Sequence, residues 1–333
     1  MLNNFDPTIL LKLFRFLRTE DLKQVSCVNK YLSGYARYSM GYKWHIVKSI
    51  DNIPKFVNVH KLRIMCEISS IAGLSRNLQS LEIWSNTISS IVGLPSNLQS
   101  LTIWGKNTIS SIVSLPSSLQ VLKIYGNNSI SSITELSSNL QVLQIDGNNT
   151  ISSIVGLPSS LQVLEIGGYN TISSIVGLPF NLQVLIIWGK NTISSIDGLP
   201  SNLKELEILS MNTISSITRL PSSLQVLKIS GYNTISSIVS LPSSLQVLKI
   251  WGRNTISSIV SLPFNLQVLG IWGENTILSI TGLPSSLKEL KIGGKNTISS
   301  IGSLPSSLKE LEIYGENRFL TGDLQITRIN DDS

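Results

Sequence analysis

The stretch that decides the fold runs from Leu115 to Glu135 and reads LPSSLQVLKIYGNNSISSITE. Its leucines and isoleucines fall at fixed steps, and the same pattern returns every 20 or 21 residues along most of the chain. Each of the twelve recurrences begins with Leu-Pro or Leu-Ser, at Leu74, Leu94, Leu115, Leu136, Leu157, Leu178, Leu199, Leu220, Leu241, Leu262, Leu283 and Leu304. Such a repeat predicts a solenoid in which each turn contacts only its neighbours.

Five apolar positions of each unit are predicted to point into the solenoid. In the unit quoted above they are Leu119, Leu122, Ile124, Ile130 and Ile133. The segment Val121–Tyr125 alternates between inward and outward residues, which predicts a short strand. A unit of 21 residues has no room for a strand, two turns and a helix, so the far side of each turn should be extended or hold one 3₁₀ turn. The spacing is that of a leucine-rich repeat, with a parallel sheet on the concave face.

An asparagine recurs at one position of every unit. The twelve are Asn86, Asn107, Asn128, Asn149, Asn170, Asn191, Asn212, Asn233, Asn254, Asn275, Asn296 and Asn317. An amide both donates and accepts hydrogen bonds, so a stacked asparagine can satisfy backbone groups of its own turn and of the next. We therefore predict that this ladder is structural and binds no ligand.

Aromatic residues share one outward position of the predicted strands. They are Trp84, Trp104, Tyr125, Trp188, Trp251, Trp272 and Tyr314. Exposed aromatic side chains are favoured at protein interfaces because they bury much area at a low entropic cost. We predict that this column binds a protein substrate; the alternative is that the rings only stack on one another. The neighbouring outward column mixes acidic and basic residues, which favours protein recognition over nucleic acid.

The predicted fold class is α+β, with a small helical head before the solenoid. Residues 1–50 are assigned to the head, 51–73 to a degenerate capping repeat, 74–325 to the twelve repeats and 326–333 to a C-terminal tail. Asp6 is a suitable helix N-cap with Pro7 at the first helical position. A third helix of the head is predicted from the spacing of Tyr35, Tyr38, Tyr42 and Ile46.

The head resembles a known family. Its pattern is carried by Pro7, Ile9-Leu10, Leu13-Phe14, Leu17, Asp21-Leu22, Val25, Val28, Lys30 and Trp44, which resemble an F-box. The repeats, with LP-x-x-L-x-x-L-x-I and N-T-I, resemble FNIP-type leucine-rich repeats. This pairing is known from giant viruses of amoebae and from social amoebae.

The resemblance implies a role in ubiquitin conjugation. An F-box head binds the Skp1 adaptor of a cullin ubiquitin ligase, and the repeats that follow select the protein substrate. By resemblance the adaptor contacts would be Pro7, Ile9, Leu10, Leu13, Phe14 and Leu17. The alternative is that this apolar face packs against the first repeat as a cap, which would leave a protein-binding scaffold without a link to ubiquitin.

Composition argues against other classes of protein. Charged residues make up only 14% of the chain, against 42% hydrophobic residues, which is not a disordered composition. The sequence contains no uninterrupted run of about 18 apolar residues, so no membrane span is predicted. Two cysteines (Cys27 and Cys66) and two histidines (His45 and His60) form no catalytic or metal motif. We therefore expect no enzyme, cofactor or metal, and an intracellular, cytoplasmic location without a signal peptide.

The positive charge is concentrated near the N-terminus. Residues 1–66 hold 11 Lys and Arg against 4 Asp and Glu, whereas the whole chain has a net charge of +6. Basic and aromatic residues interleave at Arg37, Tyr38, Tyr42, Lys43, Trp44 and Lys48. Nucleic-acid binding through the head is therefore a further, weaker hypothesis.

Overall fold

The computed structural model describes residues 44–48, 59–133, 135–259, 261–294 and 300–313. The chain divides into two compact units. The first holds the described residues of Met1–Ile130 and Glu135–Gly147, and the second holds those of Ser131–Thr134 and Asn148–Ser333. Both are built from short parallel strands, one for each repeat.

Six strands form the sheet of the first unit, and each pairs in parallel with the next along the chain. Their bounds are β1 (Trp44–Val47), β2 (Lys61–Ile64), β3 (Ser80–Trp84), β4 (Ser100–Trp104), β5 (Val121–Ile124) and β6 (Val142–Ile145). The pairing keeps one register, so equivalent residues of successive repeats lie side by side. Because equivalent residues of successive repeats form rows, the outer surface of the sheet can be predicted from the sequence.

The second unit continues the same pattern. Its strands are β7 (Val163–Ile166), β8 (Val184–Gly189), β9 (Glu205–Asn212), β10 (Val226–Gly231), β11 (Val247–Trp251), β12 (Val268–Trp272), β13 (Ser279–Ile280), β14 (Glu289–Ile292), β15 (Ser300–Ile301) and β16 (Glu310–Ile313). All but β13 and β15 pair in parallel in one sheet, in sequence order. The two exceptions pair with each other on the far side of the turns.

The predicted inward positions form the core. Leu119, Leu122, Ile124 and Ile130 are completely buried, and Ile133 is 1% exposed. The same five positions are buried in each repeat from residue 74 to residue 280. The sequence predicts extended chain or one 3₁₀ turn on the far side of the turns, and the described residues contain no 3₁₀ turn there. Burial of apolar surface at every rung is the main force that stabilises the stack.

Polar side chains close the turns between rungs. In the repeat that begins at Leu241, the amide of Leu245 donates to the carbonyl of Pro242 at 3.0 Å, which closes a tight turn. The Ser244 hydroxyl donates to the carbonyl of Leu224 in the preceding repeat at 2.6 Å. The recurrent Pro-Ser-Ser sequence therefore both shapes each turn and ties it to its neighbour.

The asparagine ladder is structural, as predicted. Nine of its members, from Asn107 to Asn275, are completely buried. Asn233 shows the pattern: its Oδ1 accepts from the amide of Ile214 at 3.1 Å, and its Nδ2 donates to the carbonyl of Trp251 at 3.2 Å. One side chain therefore links three successive repeats.

The predicted α+β class is wrong. The described residues contain no helix and form a parallel β-solenoid. Trp44–Val47, placed within the helical head by the sequence, is strand β1 and pairs with β2. Ile46, assigned to a third helix, lies on this strand and is 54% exposed. The physical reason is that β1 satisfies backbone groups along β2 that would otherwise stand at a bare sheet edge.

The rung that begins at Val59 has a strand on each side. Five apolar residues of this degenerate repeat are buried: Val59, Leu62, Ile64, Ile68 and Ile71. The predicted adaptor contacts lie outside the described residues. They are Pro7, Ile9, Leu10, Leu13, Phe14 and Leu17.

Candidate protein-binding face

Three rows of side chains point away from the core on the strands. On β11, Leu248 and Ile250 are buried, whereas Val247, Lys249 and Trp251 face outward. We call the equivalent positions of all strands the first row, the middle row and the aromatic row, and together the outer sheet face. Because the strands are in register, each row runs unbroken through its unit.

The aromatic row of the first unit contains a stack of three rings. The ring centroids of Trp84 and Trp104 lie 5.3 Å apart, and those of Trp104 and Tyr125 lie 4.1 Å apart. The indole Nε1 of Trp84 donates to Glu82 at 2.8 Å, and the Tyr125 hydroxyl donates to Gln144 at 2.8 Å. Trp84 remains 47% exposed. The stack is therefore held in place yet open to solvent at one end.

The second unit carries a stacked pair. The Trp251 and Trp272 centroids lie 5.1 Å apart, and their planes are 8° from parallel. A Cβ on Gly270 or on Gly293 would overlap the Trp272 ring, so this indole lies across both glycines. These two glycines make room for the ring, and the sequence analysis had not connected them with it.

Trp188 differs from the other aromatic residues of this row. It lies beside Leu209 of β9, and within the part of the chain that the structure describes no ring stacks on it. Its indole Nε1 is buried without a hydrogen-bond partner. Tyr314, the last predicted member, lies outside the described residues.

The middle row mixes acidic, basic and neutral residues. Arg63 pairs with Glu82 at 2.8 Å, and Lys228 pairs with Glu207 on the adjacent strand. Lys291 pairs with Glu312 at 3.1 Å, and Glu310 and Glu312 raise its pKa by accepting hydrogen bonds from it. Most charges of this row are therefore neutralised by a cross-strand partner.

An acidic group lies on β9. Burial raises the pKa of the Glu205 carboxyl, and a hydrogen bond with Glu207 raises it further. Glu205 stands in the first row between Val184 and Val226 of the adjacent strands. Two interacting carboxyls therefore stand side by side on β9, next to Lys228 of β10.

The N-terminal end of the face exposes apolar residues that the sequence analysis did not place there. Trp44 is 39% exposed, Ile46 54% and Met65 46%. The guanidinium of Arg63 lies 5.2 Å from the centroid of the Trp44 ring. The available signal was alignment of Trp44–Val47 with Lys61–Ile64, which places Ile46 in the middle row.

The described residues include side chains of the types that bind metal ions. Among residues 44–48 and the described residues from 59 onward, no three His, Cys, Asp or Glu side chains could hold a metal ion together. Cys66 is a free, half-buried cysteine. No helix able to cross a membrane is found in the described part of the chain.

Solved structures share this fold. One is YopM from Yersinia enterocolitica WA-314, with a TM-score of 0.63, 26% identity, and coverage of 80% of this chain and 62% of that one. Another is the functional domain of InlJ from Listeria monocytogenes, with a TM-score of 0.57, 16% identity, and coverage of 82% of this chain and 66% of that one. A chain of the Drosophila Toll–Spatzle complex has a TM-score of 0.56, 16% identity, and coverage of 84% of this chain and 42% of that one. The present chain spans less than two thirds of each of these.

A family model, the FNIP Repeat, matches residues 275–315. These residues therefore carry FNIP-type repeat sequence. No curated protein matches it in sequence. The leucine-rich solenoid predicted from the sequence is therefore confirmed, and the FNIP type is confirmed for residues 275–315. The F-box and the viral or amoebal origin stay predictions.

Proposed function

We propose that this FNIP-repeat protein is a protein-interaction scaffold that binds a partner on its outer sheet face. The observation that carries the proposal is the presence of stacked aromatic rings on a sheet face, one of which, Trp84, is almost half exposed. Tryptophan and tyrosine are enriched among the residues that dominate binding energy at protein interfaces. Such a scaffold would act without catalysis, cofactor or metal.

The platform beneath the rings is rigid, which favours binding. Each ring lies on or beside a strand whose backbone is paired, and the rungs are linked by buried asparagines such as Asn233. A preorganised surface loses little side-chain entropy when a partner docks. Ring stacking, the alternative in the sequence analysis, does occur; it orders the rings and leaves part of their surface available.

The test uses random linear peptides displayed on phage and selected against the intact chain. We expect the Trp251→Ala/Trp272→Ala variant to bind those selected peptides that dock on the second unit about 30-fold more weakly, because truncated hot-spot residues cost about 2 kcal/mol or more. The Trp84→Ala/Trp104→Ala variant should show the same loss for the peptides that dock on the first unit. Affinity is measured by fluorescence anisotropy with each selected peptide.

The matched control is Phe264→Ala. Phe264 is 68% exposed but lies in a turn, not on the outer sheet face. Its replacement should leave affinity unchanged. Selected peptides that bind both double tryptophan variants as tightly as the intact chain would disprove the assignment of this face.

A narrower role, the substrate-binding subunit of a Skp1–cullin ubiquitin ligase, is supported by the F-box resemblance alone. Of the residues that carry this resemblance, the structure describes only Trp44, which lies on β1. The scaffold role has the stronger support because it draws on the described repeats.

A Skp1 pull-down tests the narrower role. If it holds, the intact chain retains Skp1, and the Leu13→Asp/Phe14→Asp variant with an unchanged thermal melt does not. The predicted adaptor contacts lose their apolar character in that variant. Failure of both proteins to retain Skp1 would leave the scaffold without a link to ubiquitin.

A further inference from the structure

Two lysines of the middle row lack the partner that its other basic residues have. The row contains five basic residues that the structure describes: Arg63, Lys123, Lys228, Lys249 and Lys291. Arg63, Lys228 and Lys291 each form an ion pair with a glutamate. For Lys123 and Lys249 no ion pair is found within the described ranges. One of the two lies in each unit.

Lys249 stands next to the tryptophan pair of the second unit. In the register of the sheet its neighbours are Lys228 on β10 and Gly270 on β12. The first offers a like charge, and the second offers no side chain. Trp251 follows two residues later on the same face and stacks on Trp272. Lys249 therefore stands between Val247 of the first row and Trp251 of the aromatic row, with no carboxylate beside it in the middle row.

Lys123 repeats this arrangement in the first unit. Its cross-strand neighbours are Thr102 on β4 and Gln144 on β6, both neutral. Tyr125 follows two residues later and stacks on Trp104 at a centroid distance of 4.1 Å. In both units an unneutralised lysine thus stands in the middle row, directly beside a stacked aromatic pair.

We propose that each lysine and its stacked rings form a composite site for an acidic, apolar segment of a protein partner. A partner carboxylate would pair with the ammonium group, and an adjacent apolar or aromatic side chain would cover the rings. Lysine flanked by apolar surface gains most from a carboxylate when docking excludes water, because the local dielectric constant then falls. This inference rests on the proposed function and specifies its ligand.

Nucleic acid fits these sites less well, although lysine and aromatic rings together can bind it. A polyanion that follows the middle row would find Arg63 and Lys228 already paired with Glu82 and Glu207. Non-specific binding of nucleic acid depends on many cations that neutralise successive phosphates. The outer sheet face offers one unneutralised middle-row lysine in each unit, which suits isolated carboxylates.

The test repeats the peptide selection on the full chain and on a Lys123→Glu/Lys249→Glu variant. Peptides selected on the intact chain should place Asp or Glu next to an apolar or aromatic residue. Their affinity should fall at least about tenfold in the double variant and weaken as salt rises. Selection on the double variant should enrich Lys or Arg at the same place.

Two controls separate local charge from net charge and from folding. Lys288→Glu makes the same charge change as either single substitution at an exposed site outside the three rows, where Nζ donates to Gln267 at 2.8 Å. It should leave affinity within about twofold, as expected of a distant surface charge. A Lys123→Gln/Lys249→Gln variant replaces the double reversal if that one melts early, and it should also lose affinity.

The remaining outcomes are decisive. Peptides that depend on the tryptophans but carry no acidic residue, or that ignore both lysine variants, would overturn this inference and leave the proposed function standing. Peptides that depend on neither the tryptophans nor the lysines would overturn both. Oligo(dT) that binds the intact chain more tightly than the selected peptides, and that is lost in the lysine variants, would assign the sites to nucleic acid instead.

Discussion

Substitution of Gly126 by alanine is expected to destabilise the first unit by more than about 4 kcal/mol, the range of the most damaging single substitutions. Gly126 follows β5 with a φ of 124°, in a region that side chains rarely adopt. An added Cβ would overlap the carbonyl oxygen of Gly105 and lie 2.7 Å from its carbon. Chemical denaturation of the intact chain, followed by circular dichroism, measures the loss.

The overlap cannot be relieved cheaply because the obstructing atoms belong to the backbone. Gly105 occupies the equivalent position one repeat earlier, and its φ of 118° is equally unusual. Movement of Gly105 would disturb the amide of Lys106, which donates to Asn86 at 2.9 Å. The strain would therefore spread to the adjacent rungs.

Gly73 provides the matched control in the same unit. It also has a positive φ, 80°, but an added Cβ would find nothing within 4 Å. Ser114, two repeats later at the same position, adopts a φ of 54°. Gly73→Ala should therefore cost only about 1–2 kcal/mol, the usual penalty of the left-handed conformation. Equal losses in the two variants would show that backbone overlap does not govern stability at Gly126.

These two glycine positions show what periodicity reveals and what it hides. The sequence places a glycine at both in many repeats, so both are predicted to be turns. In the structure, Gly126 lies against the preceding backbone whereas Gly73 faces open space, a difference that the repeat pattern does not contain. The inward leucines and isoleucines, in contrast, follow from the period alone, because each recurs from repeat to repeat and each is buried between residues 74 and 280.

Strand β1 was missed for a physical reason. Four residues are too few for their alternation to separate a strand from a helical turn. Tyr35, Tyr38, Tyr42 and Ile46 also fit helical spacing, and no Leu-Pro or Asn-Thr-Ile marks the repeat around Trp44. Pairing with β2 makes Trp44–Val47 a strand, and such a long-range contact cannot be inferred from the local sequence.

The candidate site was predictable in part. The aromatic column follows from the repeat, and so do the glutamates that lie beside Lys228 and Lys291. The position of the Trp272 ring does not follow, because it depends on open space above Gly270 and Gly293. That Lys249 has no ion pair points to a binding site only because the stacked tryptophans stand beside it.

Loss of the Asn233 amide is the other change with a large expected effect. Asn233→Ala would leave the Ile214 amide and the Trp251 carbonyl without their partner at a completely buried position. Unsatisfied buried groups cost about 1–3 kcal/mol each, so we expect a loss of about 2–5 kcal/mol in the free energy of unfolding. Thermal and urea denaturation of the intact chain measure it.

Two companion variants identify the cause of this loss. Asn86→Ala removes the ladder residue of the first full repeat, which is exposed; its Nδ2 donates to Glu67 at 2.7 Å and its Oδ1 accepts from the Lys106 amide at 2.9 Å. Water can replace both partners at this exposed site, so the loss should stay at about 1–2 kcal/mol, the net value of two hydrogen bonds. Asn233→Asp keeps an acceptor for Ile214 but buries a carboxylate against the Trp251 carbonyl, so its loss should grow as pH rises from 4 to 7. If Asn233→Ala were no more damaging than Asn86→Ala, the buried amides would not be what links the rungs, and apolar stacking alone would account for the solenoid.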